Sequence, residues 1–567
     1  MRTTFVVLTV VAGVAAAAHA QASSLDRDRD PVVMVGADLP DLTGLAVNLV
    51  VAFRYDDGWQ QIPVQIDERK VVEFSDVYNG LYGGGVFTTA YTDPNTYCGA
   101  DTDPTFDSDD ELVFMAKDAG DRAGPGSGEP SGVVAGSGVE LEISDSLDSG
   151  TGYVYLFVSN GSLTPDAGQD YVNYTFDLLA GEYIPNYDLA DGPNPEDSVA
   201  WSAYYRTRFA DRWIRDEVNV YAGGATGVDI LDRHKNMFSP GECGRTEDTF
   251  SDGEGAFFAN KDGPVRAIRS YMGANSGPLT QRVHRFYEQR QDIATHLRVH
   301  VIPSVMDLYD YSPAATGMTY YNDVYTSGVT IDGVPDSVGM AQITWEMVTG
   351  AQGALLLSHA FETDITLNYI YSYYSDDSTP STTQCTGDDY EYGTSGLWVA
   401  QIIPNTDPLM GEYYYLTSLR RVGYAAPGQT ITDAALHHDQ VTTPLTVSSQ
   451  SYDPTYLLTL SVRNDAWGSV DFDPEPNDAN SPAYPPQTAV TLTAQPIGGK
   501  SFREWLIFDP NHPGDANHAV TDANIVLHLT MDGNQEVEAA FKCGTGVEPF
   551  VGAVLLVLTL GILRRRR

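Results

Sequence analysis

Seven residues between positions 266 and 300 have the types and spacing to read an anion: Arg266, Arg269, Tyr287, Arg290, His296, Arg298 and His300. The stretch Thr295-His296-Leu297-Arg298-Val299-His300-Val301 alternates. As a strand it sets His296, Arg298 and His300 on one face and Leu297, Val299 and Val301 on the other. With Arg282, His284 and Arg285 close in sequence, such a face suits a carboxylate or sulfate, because a guanidinium fork pairs with either in two places. Two other readings use the same residues. The arginines can pair with the chain's own carboxylates. Alternatively the face is catalytic: His296 or His300 with Tyr287 abstracts a proton beside a carboxylate neutralised by Arg290, which is β-elimination.

A second group is acidic: Asp101, Asp103, Asp107, Asp109, Asp110 and Glu111. An EF-hand loop requires Gly at its sixth position and Glu at its twelfth, and here those are Phe106 and Leu112. Carboxylates this dense repel one another unless a cation or water screens them. A non-standard Ca²⁺ loop using Asp101, Asp103, Asp107, Asp109 and Glu111 is one expectation, and a solvated acidic turn before a strand is the other. His296 and His300 form an HxxxH, but four residues of strand separate them by about 13 Å, too far to share a metal. His437-His438-Asp439 reads as loop. No G-x-S-x-G, HExxH or phosphate loop occurs.

Composition limits the partners. The 567 residues carry 77 Asp and Glu against 32 Lys and Arg, a formal charge of -45. That excludes nucleic acid as a general partner, since binding there needs clustered cations to replace counterions. The charge is uneven: between Arg206 and Arg298 there are 14 Lys and Arg and 13 Asp and Glu, a near-neutral stretch in an acidic protein. Of four cysteines, Cys98, Cys243 and Cys385 permit one disulfide and one spare thiol, and Cys543 lies at the start of the tail.

The elements that must position these groups are strands. The 53 glycines, 32 prolines and 34 tyrosines favour strands joined by turns. Ile365, Leu367, Tyr369, Tyr371 and Tyr373 alternate as a half-buried strand requires, and strand signals recur at 47–53, 112–115, 139–143, 153–158, 295–302 and 397–403. No long 3.6-residue period stands out between the two ends. The expected fold is all-β: a large antiparallel sandwich over 21–447, followed by a smaller strand-rich module over 455–542. The Ser448-Ser449-Gln450-Ser451 run reads as the boundary.

The ends predict export. Residues 5–18 are apolar and lead to Ala18-His19-Ala20, a signal-peptidase pattern, so 1–20 reads as a leader and the mature chain as starting near Gln21. Pro549-Phe550 leads into an apolar run that ends at Leu563 and precedes Arg564 to Arg567; at 1.5 Å per residue 547–563 span about 25 Å, a marginal crossing with the arginines inside. With Cys543-Gly544-Thr545-Gly546 before it, the 543–567 tail resembles the tripartite sorting signals of the PEP-CTERM and MYXO-CTERM kind. That resemblance implies retention or processing at the membrane through a hydrophobic helix.

Two more resemblances concern the body. Trp467-Gly468-Ser469-Val470, Tyr484-Pro485, Val490-Thr491-Leu492-Thr493-Ala494, Phe502-Arg503-Glu504-Trp505 and Val537-Glu538-Ala539-Ala540-Phe541 follow one another in the order of the divergent internalin B-repeat domain. Gln487 stands where that pattern carries Gly. The resemblance implies a β-grasp-like spacer or adhesion module without catalysis. Ile62-Pro63-Val64-Gln65-Ile66-Asp67, Asp109-Asp110-Glu111-Leu112-Val113-Phe114-Met115 and Gly263-Pro264-Val265-Arg266 resemble exported β-sandwich proteins distantly similar to carbohydrate-associated supersandwich enzymes. The sequence reading is therefore an envelope-retained surface protein that binds an extracellular glycan or matrix, an anionic polysaccharide above all, with calcium as its candidate cofactor. A secreted polysaccharide lyase or hydrolase is the alternative.

Overall fold

The computed structural model describes residues 22–543 except 125, 180–194, 239–244, 380–390, 453, 477–481, 510–511 and 532. The leader, the start at Gln21, the tail from Gly544, Cys243 and Cys385 lie outside the described residues. Strands hold 48% of the chain and helices 9%, which makes it a β protein. Two compact units divide it, one of Ala20–Ala123 and Glu129–Tyr452, the other within Asp453–Arg567.

The larger unit is built on a nine-stranded antiparallel sheet whose centre runs Ala267–Ala274, Gly277–Phe286, Arg290–His296, Leu416–Ala425 and Gly353–Thr363. One face carries Ala267, Phe286, Val422 and Leu357, which share a core with Leu231, Tyr309, Phe209 and Val218 of two four-stranded sheets. The other face is covered in parts. Ile268 and Val283 pack on Tyr91 of a two-stranded ribbon, and Leu356 and Ala425 pack on Ala434 of the helix Ile431–Thr442. A smaller sandwich stands beside this one. Its five-stranded sheet, with Ala52, Leu141 and Leu156, faces the three-stranded sheet that contributes Met34, Leu112 and Phe114.

Five sequence expectations change here. The strand expected at 295–302 ends at His296, because its partner begins at Leu416; beyond it the Arg298 and Val299 amides bond to Thr280 and Thr406 hydroxyls instead of a strand. The strand read at 365–373 is Ile370–Asp377, and that at 397–403 is Glu391–Val399. The run read as a boundary is the strand Thr446–Ser451, paired along its length with Val139–Ser144. His437-His438-Asp439 is helical: Thr430 and Asp433 form a capping box, and Ala434, His437 and Val441 recur at helical spacing on the buried side. The His437 ring sits against Gly423, where a Cβ would meet it at 3.0 Å.

The smaller unit pairs Tyr456–Arg463 with Gln535–Cys543 in parallel and continues antiparallel to Lys500–Ile507. Its core holds Leu458, Leu492, Trp505, Val537 and Phe541. Gln487 has φ 61, the left-handed region that disfavours side chains, and its amide bonds to Met531 across the turn. Gln487→Gly should therefore stabilise this unit by about 1 kcal/mol in a urea melt; a destabilised variant would show that the exposed side chain contributes to the turn.

Candidate functional site

The register of the central sheet sets Arg285, Asp292 and Arg421 directly opposite one another on three neighbouring strands. They form the wall of a cleft of about 620 Å³, closed on its other sides by the segment that leads into Pro31–Val35, by Glu111, and by the connection between the helix Ile431–Thr442 and the strand Thr446–Ser451. Arg266, Tyr287 and Arg290 also line it. So three of the seven anion-reading residues converge here, together with Glu111 from the acidic run.

A chain of alternating charge holds the wall in place. Arg27 binds Asp145 at 2.9 and 3.0 Å and pairs with Asp30; Asp30 pairs with Arg290, and Arg290 grips Asp292 through two bonds of 2.7 Å. Arg27 also donates to the Gln440 and Thr443 carbonyls, which ties the helix end to the cleft. Burial alone would raise the Asp292 carboxyl, but Arg290, with Arg421 and Arg285 assisting, holds it below its ordinary value. On the floor, fully buried Arg266 bonds Asp67 and Glu111 at 2.7 Å each and lies over the Tyr91 ring. Burial likewise works to raise Glu111, and Arg266, Arg285 and Arg69 outweigh it to bring the carboxyl down to about 2.

Two arginines remain underused. Arg285 donates from Nε to the Tyr91 hydroxyl at 2.7 Å, and no ion pair to its terminal nitrogens exists among the described residues. Arg421 comes no closer than 4.0 Å to Asp292. Nη1 of Arg266 is buried without a hydrogen-bond partner. Three guanidinium groups thus present unused donors to one cleft, an arrangement that takes a carboxylate, sulfate or phosphate in a bidentate grip. Sequence reasoning passed over Arg421 and Asp292. A signal for Arg421 was the adjacent Arg420-Arg421 pair, which in the strand Leu416–Ala425 sets one arginine on each side of the sheet.

The remaining expected residues lie elsewhere. Arg269 faces the opposite side of the sheet and is held by Glu196 at 2.6 and 2.8 Å. His296 bonds the Thr417 hydroxyl at 2.7 Å, Arg298 donates to the Leu279 carbonyl over the Phe74 ring, and His300 bonds the Val301 carbonyl. Because the strand stops at His296, the expected row of His296, Arg298 and His300 does not form. Neither histidine lines the cleft with Tyr287, so the acid–base pair for β-elimination is not assembled. Burial raises the Tyr287 hydroxyl above its ordinary value, against the pull of Arg266, which keeps it a phenol.

On the opposite face, Arg282 and Arg420 converge with His234 on Asp307 around a cavity of about 60 Å³. At 10–15 Å³ per water that space holds about four waters, too few for a sugar ring. Its polar groups bind one another and serve the core.

In the acidic run, Glu111 points inward to Arg266 and Arg69, away from the aspartates. Asp101, Asp103 and Asp107 each accept a backbone amide two residues ahead, as turn-forming aspartates do. Among the described residues no group of three or more His, Cys, Asp or Glu is arranged for a metal ion. Cys98 and Cys543 are free, and no described helix is long and apolar enough to cross a membrane.

No family model matches the chain, and no curated protein does. Among solved structures, one titled a putative aldose 1-epimerase from Escherichia coli K12 is similar over 45% of this chain and 99% of its own, at 10% identity and a TM-score of 0.22. A likeness at that score carries no weight for function.

Burial, with repulsion from Asp107, raises the Asp109 carboxyl to about 6, and burial raises Asp110 to about 6. A carboxyl with a higher pKa when folded holds its proton preferentially in the folded state. Its contribution is present below about 4 and is lost as pH rises through about 6. Asp109→Asn should raise the melting temperature at pH 7 and change it little at pH 4. An equal gain at both values would assign the effect to packing.

Proposed function

We propose that this protein binds an anionic carbohydrate in the arginine-walled cleft, as a surface protein of the cell envelope. The observation that carries the reading is that Arg285 has no ion pair among the described residues and Arg421 has only a long contact of 4.0 Å with Asp292. A chain with 45 more negative than positive charges has carboxylates to neutralise every arginine, yet these two face a cleft of about 620 Å³ without close carboxylate partners. Arginine forks fit the carboxylate or sulfate of an acidic sugar, and Tyr287 and Leu419 supply an aromatic and an apolar surface within the same walls. Binding is favoured over β-elimination because no histidine lines the cleft and Tyr287 is held as a neutral phenol.

A charge-assisted hydrogen bond contributes about 1.5–3 kcal/mol. Arg285→Ala and Arg421→Ala should each weaken binding of an acidic oligosaccharide by about tenfold or more in calorimetric titration, with an unchanged circular dichroism spectrum. Wild-type affinity should also fall as salt rises, because screening shortens to about 8 Å at physiological ionic strength. Equal affinity for neutral and acidic sugars at low salt would reject the reading.

Export and retention are part of the same proposal, resting on the 1–20 leader and the 543–567 tail. Sequencing the mature N-terminus near Gln21, and release of the protein into the medium when 549–567 are deleted, would test them. Calcium at Asp101, Asp103, Asp107 and Asp109 is a further part, without Glu111. A higher melting temperature in calcium than in chelator at matched ionic strength is its expected sign.

A further inference from the structure

Beyond the cleft, the same sheet face continues toward an exposed tyrosine edge. From the row of Arg285, Asp292, Arg421 and Ser358, the next row along the strands is Val283, Ala294, Leu419 and Ala360, and the one after it is Gln281, His296, Thr417 and Glu362. Ala360 and Leu419 are half-buried, Glu362 is exposed and Thr417 is buried, so the strip opens to solvent at the first three of these residues along the Gly353–Thr363 and Leu416–Ala425 strands. Just before the second of these come Tyr413, Tyr414 and Tyr415, at 55%, 41% and 43% exposure.

These tyrosines are fixed from behind. The Tyr415 amide donates to Asp364 and its carbonyl accepts from the Thr363 hydroxyl, at 2.8 and 2.6 Å. The Tyr414 amide donates to the Asn405 carbonyl, and the Asn405 side chain holds the Glu412 carbonyl, both at 2.9 Å. The patch is also joined to the cleft. The Tyr415 hydroxyl reaches Glu362, a cleft-lining residue, and its ring lies 6.2 Å from that of His296. Arg298, which has no ion pair among the described residues, lies near enough to Tyr413 and Tyr415 to interact with both electrostatically.

A row of large aromatic rings held in water by an ordered backbone marks a contact surface. From the cationic end its occupant must suit the apolar Leu419 and Ala360, then the polar His296 and Glu362, then an aromatic end. A protein interface places an apolar patch at its centre and a polar rim around it, whereas this strip changes character step by step along one line. A sugar chain meets the order found: an acidic group in the cleft, the apolar C–H face of a ring over Leu419 and Ala360, hydroxyls at His296 and Glu362, and a ring face on the tyrosines. Tyr415 to Arg421 is six residues, about 20 Å of strand, the length of several sugar rings.

We infer that the ligand is a linear acidic oligosaccharide several residues long, lying along the strands with a charged unit at Arg285 and Arg421 and its far end stacked on Tyr413 to Tyr415. The inference rests on the cleft reading above and adds the ligand's length, direction and second contact point.

The test is calorimetric titration of the full chain with size series, from disaccharide to octasaccharide, of galacturonate, mannuronate and sulfated glycosaminoglycan oligomers. Affinity for the series that binds should climb about tenfold or more from disaccharide to hexasaccharide and then level off. The double variant Tyr413→Ala, Tyr414→Ala removes two exposed rings without touching Glu362 or the cleft; it should cut hexasaccharide affinity about tenfold and leave the disaccharide unchanged. Arg421→Ala should weaken both. Disaccharide affinity equal to that of the longer oligomers, or a tyrosine variant that binds hexasaccharide as the wild type does, would overturn the inference and leave the cleft reading intact. Binding of no acidic oligomer at any length would overturn both.

Discussion

Buried arginine–carboxylate pairing is the interaction on which the larger unit depends. Arg27, Arg266 and Arg269 are among its largest fully buried side chains, and each joins a carboxylate far away in the chain. Arg266 reaches Asp67 and Glu111, Arg269 reaches Glu196, and Arg27 reaches Asp145 and the end of the 431–442 helix. Such pairs contribute little net stability, because desolvation offsets attraction. Removing one member, however, strands its partners in the interior at a cost of about 3–5 kcal/mol. Their effect is therefore on geometry: a sheet registered one residue away would turn Arg269 and Arg420 to the other face, away from Glu196 and Asp307.

The cleft follows from the same constraint. Asp292 is committed to Arg290 by two short bonds, Asp30 is shared between Arg27 and Arg290, and Glu111 is shared between Arg266 and Arg69. Asp292, Asp30 and Glu111 thus each have a closer cation than Arg285 or Arg421. These two are left with unused donors because the network around them is saturated, and holding them in place needs no dedicated scaffold.

The sequence made the strand content, the sandwich and the near-neutral 206–298 stretch legible, since alternation and charge counts are local properties. Pairing was not legible. Arg266 and Asp67 stand 199 positions apart, and which of the 77 acids meets which arginine depends on registers that no local pattern encodes. The misread elements share a cause. Thr446–Ser451 is an exposed edge strand of Ser, Thr and Gln that pairs through its backbone, so it lacks the apolar alternation that marks a strand. The alternation at 295–301 continues past the point where its partner strand begins, so the pattern promised a face that pairing does not extend. In the helix, His437 is buried by Gly423 on a distant strand, and a histidine in that role looks polar until its neighbour is known.

One short segment shows how burial and pairing set opposite fates for adjacent acids. At Asp109 desolvation and Asp107 outweigh the pull of Arg69, at Asp110 desolvation outweighs the amides of Asp107 and Arg69, and both carboxyls rise to about 6. Glu111 is buried further, a condition that by itself raises a carboxyl more, yet it faces Arg266, Arg285 and Arg69 and falls to about 2. As acid is added, the outer aspartates lose their charge first, while Glu111 and Asp292 keep theirs. The arginines of the wall stay protonated throughout, since Arg266, Arg285 and Arg290 are all raised by the acids and tyrosines around them against the effect of burial. The charge pattern of the cleft is thus insulated from the pH range that alters the surface a few residues away. On the reading proposed above, binding of an acidic sugar there would follow the ligand's own ionisation and salt rather than titration of these groups.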